Sequence, residues 1–81
     1  MTISTETQLY VDFAESTADM IERHLKDKSK LQIVFDCDIT YMNVEMPYIC
    51  FLRTLMKEVQ NDECATHVIQ RAIDTYYKQF K

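Results

Sequence analysis

The 81 residues predict one small α+β domain in the order helix, strand or β-hairpin, helix, helix. Three observations lead there. Apolar side chains recur at helical spacing over 5–27, 47–60 and 63–80; the rhythm switches to two residues over 31–45; and no Pro-, Ser- or charge-rich run divides the chain. Apolar residues make up 47% and charged residues 27%, the balance of a folded soluble domain. A chain this short buries only about 60–65% of the surface its unfolded form exposes, so its core is small and self-association would add to it.

The first helix is expected from Thr5, where T-x-x-Q with Gln8 has the spacing of a capping box, to about Asp27. Its stripe is Tyr10, Phe13, Ala14, Ile21 and Leu25, with Leu9 and Met20 at the edges and Thr17 interrupting. Asp19 with Arg23 and Glu22 with Lys26 are four-residue acid-to-base pairs on the outer face. Lys26, Lys28 and Lys30 fall at its negative C-terminal end.

From Leu31 the odd positions Leu31, Ile33, Phe35, Cys37, Ile39 and Tyr41 are apolar or nearly so, while Gln32, Asp36, Asp38 and Thr40 alternate with them. That is the pattern of a half-buried strand. A helical reading also exists, because Leu31, Val34, Phe35, Ile39 and Met42 share one helical face; the β-branched and aromatic content favours the strand. Pro47 suits the first turn of the next helix, which carries Tyr48, Phe51, Leu52, Leu55, Met56 and Val59 on one side. The last helix has the cleanest stripe, Ala65, Val68, Ile69, Ala72, Ile73, Tyr76 and Phe80, and a short connection makes the final two helices an antiparallel hairpin.

The chain has no glycine, so Asn, Asp, Lys or Ser must make every turn, and phosphate-cradling loops that need a positive φ are excluded. Net charge is −4 with scattered cations, which argues against nucleic acid, whose affinity rests on clustered Lys and Arg. Cys37, Cys50 and Cys64 match neither a disulfide framework nor a zinc module and are read as reduced, mostly buried thiols. No apolar run suggests a membrane span or a secretion signal, so the expected compartment is the cytoplasm.

The candidate site follows from these bounds. Asp36 and Asp38 on the polar side of the strand face water, and the stretch YMNVEMPY is too apolar for an idle loop. Tyr41, Met42, Val44, Met46 and Tyr48 are expected to anchor a protein partner, with Asp36, Asp38 and Glu45 complementing its basic surface. Cys64 and His67 make a C-x-x-H pair and Glu63 lies four residues before His67; a metal needs more ligands, so a buried thiol and a surface histidine are expected.

IVFDCDIT resembles the first motif of the haloacid dehalogenase-like phosphotransferases, a strand ending in D-x-D-x-T. The resemblance implies Asp36 as nucleophile and Asp38 as general acid/base beside Mg²⁺, with Thr40 following. The glycine usual after the second aspartate is Ile39 here, and the downstream lysine and acidic metal motif have no counterpart. The strand-helix-helix order is similar to ribbon-helix-helix regulators, whose ribbon reads DNA; here that ribbon would present Asp36 and Asp38 to phosphate. The expectation is therefore a non-enzymatic acidic adaptor or inhibitor that occludes a larger, possibly host, protein. It uses no cofactor or metal, and it is homodimeric through antiparallel pairing of its strand across a two-fold axis.

Overall fold

A computed structural model describes residues 3–39 and 46–80, the side chains of 37–39 excepted. Four helices account for its regular structure: α1 Thr5–Arg23, α2 Lys28–Ile39, α3 Tyr48–Val59 and α4 Glu63–Gln79. No strand occurs among the described residues, so the chain is a helical bundle and the α+β expectation is corrected.

Ile33 shows why the alternation misled. In a strand Leu31, Ile33 and Phe35 would share one face; here Leu31 and Phe35 are 1% and 0% exposed while Ile33 is 62% exposed. Four-residue spacing puts the first two on one helical side and throws Ile33 outward. The helix is also started by a cap. Asp27 Oδ1 accepts from the backbone N–H of Ser29 (2.8 Å) and Lys30 (3.3 Å), satisfying two orphan donors of the first turn. With Lys28–Ile39 helical, the described part of the segment expected to pair across a dimer axis, or to form the ribbon of a ribbon-helix-helix, is a helix and not a strand; 40–45 lie outside the described residues.

The remaining corrections concern ends. α1 stops at Arg23, and its N-cap is Ser4, whose Oγ accepts from the N–H of Thr7 at 3.1 Å. Its C-terminal carbonyls take a side-chain partner in place of a glycine turn, as Lys26 Nζ donates to the carbonyls of Ile21 (3.0 Å) and Glu22 (3.1 Å). Lys28 and Lys30 instead open α2. Between α3 and α4, Asp62 Oδ1 accepts from Ala65 N–H at 3.0 Å and the Thr66 hydroxyl donates to the Val59 carbonyl at 2.8 Å. Cys50 and Cys64 are exposed rather than buried.

α1, α3 and α4 pack on one another. Tyr10 and Phe13 of α1 meet Phe51 of α3, and Tyr48 reaches back to Ala14, so these two helices are antiparallel. Arg71 lies beside Asp19 and Glu22 while Lys26 reaches Gln79, so α4 runs parallel to α1. Ala14, Ala18, Ile21, Leu52, Val59, Ile69 and Ala72 fill the interior. The small alanines let the helix axes approach. Thr17, buried among them, is satisfied by donating to the Phe13 carbonyl at 3.0 Å. α2 inserts Phe35 among the rings of Phe13, Tyr48 and Phe51, with centroids 5.3–5.6 Å apart.

Candidate functional site

The proposed contact residues separate in space. Tyr41, Met42, Val44 and Glu45 lie outside the described residues, as does the side chain of Asp38. Asp36 is exposed on α2 and accepts from Gln32 Nε2 at 2.7 Å. Because it projects from the side of a helix, the strand end that the phosphotransferase-like motif requires is missing. Met46 is half-buried against the core. Tyr48 is 1% exposed, so its ring is a core element and not a surface anchor.

Tyr48 joins the helices together. Its ring meets Phe35 of α2 at 5.4 Å and Tyr76 of α4 at 6.0 Å, and its hydroxyl donates to the Ala14 carbonyl at 3.4 Å. Burial pushes the phenol well above its ordinary titration range, since the phenolate would lose its water. Pro47, the N-cap of α3, supplies no side-chain acceptor. Gln32 replaces it: Oε1 accepts from Tyr48 N–H at 3.3 Å while Nε2 also faces the Met46 carbonyl at 3.5 Å. One amide from α2 thus caps α3.

Met46 opens onto a groove of about 410 Å³ between the first turns of α1 and the outer side of α3. Tyr10, Phe51 and Leu55 form the rest of its apolar lining. Thr7 and Thr54 stand in its walls, and Glu6 and Glu58 contribute two carboxylates with no cation among the described lining side chains. The Tyr10 hydroxyl donates to Glu6 Oε1 at 3.1 Å, and its ring meets Phe51 edge-on at 5.9 Å. Loss of hydration, the bond to Glu6 and the charges of Glu6 and Glu58 together raise the Tyr10 phenol above its usual value.

A second groove, of about 500 Å³, runs between α1 and α4. Its charges are mixed: Lys26, Arg71 and Lys78 face Glu22 and Asp74. Arg71 Nη2 bonds Asp19 Oδ1 at 2.8 Å and Glu22 Oε2, and these two carboxylates raise its already high pKa. Asp19 and Glu22 therefore pair across helices with Arg71 and not along α1 with Arg23 and Lys26. His67 borders this groove on the exposed side of α4, and no group of three or more metal-ligating side chains occurs among the described residues. None of the described helices is long and apolar enough to cross a membrane.

Sequence reasoning missed Glu6, Tyr10 and Glu58 as neighbours. Glu6 and Tyr10 share a face by their four-residue spacing, a signal that was there to read; Glu58 joins them only once α3 folds antiparallel to α1. A scan against protein-family models, a search of curated proteins and a search of solved structures each find no significant match, so the chemistry of these surfaces alone carries the functional reading.

Proposed function

We propose that this chain is a non-enzymatic, acidic protein-interaction module of the cytoplasm, an adaptor or inhibitor that acts by occluding a surface of a larger protein. The observation that supports this reading is the position of Met46. Among the described residues expected as apolar anchors, Met46 stays partly accessible, and it lines an apolar groove whose described charged residues are both carboxylates. Met adapts to a partner's shape because its unbranched side chain repacks at low cost. The net charge of −4 adds a long-range attraction for a basic partner.

Occlusion is stoichiometric, so the test is a count. The full-length chain, immobilised and exposed to soluble extract of its source cell, should recover a protein at one-to-one or another fixed ratio, confirmed by light scattering of the purified complex. Recovery of no stoichiometric protein would overturn the reading.

A further inference from the structure

We infer that the groove between α1 and α3 receives a cationic amphipathic segment of a partner protein, one apolar side chain entering over Phe51 while flanking Lys or Arg residues meet Glu6 and Glu58. The inference rests on the interaction reading above and names the chemistry of its occupant.

Charge complementarity commits the groove to that occupant. Two carboxylates border it and, among the described residues, no Lys, Arg or His lines it, whereas the α1/α4 groove neutralises itself with Arg71 between Asp19 and Glu22. Neither cation of α3, Arg53 or Lys57, lines the groove, and Arg53 is held elsewhere, stacked on Tyr77 of α4 and bonded to its hydroxyl. An unneutralised acidic rim around an apolar floor repels an acidic helix and gains from a basic one. A second copy of this chain, itself acidic and bearing the same rim, is disfavoured by the same argument. Tyr10 adds geometry to that rim, since its hydroxyl donates to Glu6 Oε1 at 3.1 Å and its ring lies edge-on to Phe51 on the groove floor. Met46 at the mouth supplies a side chain able to fold over the apolar anchor.

The experiment uses the full chain, ¹⁵N-labelled, titrated with a short amphipathic peptide of Leu and Lys and with its Leu and Glu counterpart. The Lys peptide should shift the amides of Thr7, Tyr10, Thr54 and Glu58, and the Glu peptide should not. Glu6→Gln with Glu58→Gln should weaken binding roughly 3–10-fold at low salt, as two partly exposed ion pairs would. Thr54→Trp fills the groove from an exposed position and should abolish the shifts with the fold intact. Shifts confined to the α1/α4 groove, equal response to both peptides, or no response to either would overturn the inference. Concentration-dependent shifts of the same residues without peptide would overturn it too, because a second copy would then be the occupant. If wild type recovers a partner from extract and Thr54→Trp retains it, the groove assignment fails alone; if wild type recovers none, both readings fail.

Discussion

Helices α4 and α2 belong to the same bundle and are held in different ways. α4 packs against both α1 and α3 and buries Ala65, Ile69, Ala72 and Tyr76, with Phe80 closing its end. α2, among its described side chains, buries Leu31 and Phe35 and fastens its polar side through Gln32. Both are started by an aspartate cap, so the contrast lies in packing and not in helix initiation. Most helical stability in proteins comes from the buried face, and a helix with sparser buried contacts opens at lower free energy than one packed along its whole length.

The sharpest break in that comparison comes from paired truncations. Phe35→Ala should remove about 3–5 kcal/mol and Ile69→Ala about 2–5 kcal/mol, by lost transfer energy and the cavity left behind. They should differ in kind. Native-state hydrogen exchange of Phe35→Ala should show α2 amides losing protection while α4 amides keep theirs, whereas Ile69→Ala should lower both with the denaturation midpoint. Equal loss across α2 and α4 in the Phe35→Ala chain would show that α2 is no separate unit.

Tyr48 touches both regions and gives a pH handle. Its folded pKa is raised, so its contribution is fully present below the unfolded value near 10 and is lost as pH rises above it. Stability should fall above about pH 10 by up to roughly 1.4 kcal/mol per pH unit from this group. Denaturation of Tyr48→Phe across that range should lack that part of the slope.

A smaller effect sharpens the comparison at the caps. Asp62→Ala and Asp27→Ala should each cost about 1 kcal/mol locally. Asp62→Ala should appear in the global midpoint, and Asp27→Ala mainly as faster exchange in the first turns of α2. Smallest of all, Arg71→Gln should cost about 0.5–1 kcal/mol and less at high salt, since its ion pairs with Asp19 and Glu22 are partly exposed. An unchanged midpoint at low salt would remove those pairs from the account of how α4 is held to α1.

The difference between α4 and α2 also explains what the sequence could reveal. The stripes of α3 and α4 were legible because burial there follows the helical period: Phe51, Leu52, Leu55 and Val59, then Ala65, Ile69, Ala72 and Tyr76. α2 was not, because the burial seen among its described side chains, Leu31 and Phe35, is too sparse to impress a helical period, and Leu31, Ile33 and Phe35 happen to fall on alternate positions with only Val34 breaking the polar intervals. Asp27 read as the end of α1 because the lysines around it suit a helix C-terminus; only the break after Arg23 makes it a start. At the candidate site, Asp36 is exposed and Met46 partly so, while Tyr48 looked like an anchor and is interior. The meeting of Glu6 with Glu58 depends on helix order, which periodicity does not encode.

Gln32 ties α2 to the start of α3. Because Pro47 offers no oxygen of its own to the leading amide of α3, that amide waits on a residue sixteen positions earlier. Moving α2 away would leave that amide to water, so a disturbance of one helix is felt in the opening turn of another, the turn next to Phe51.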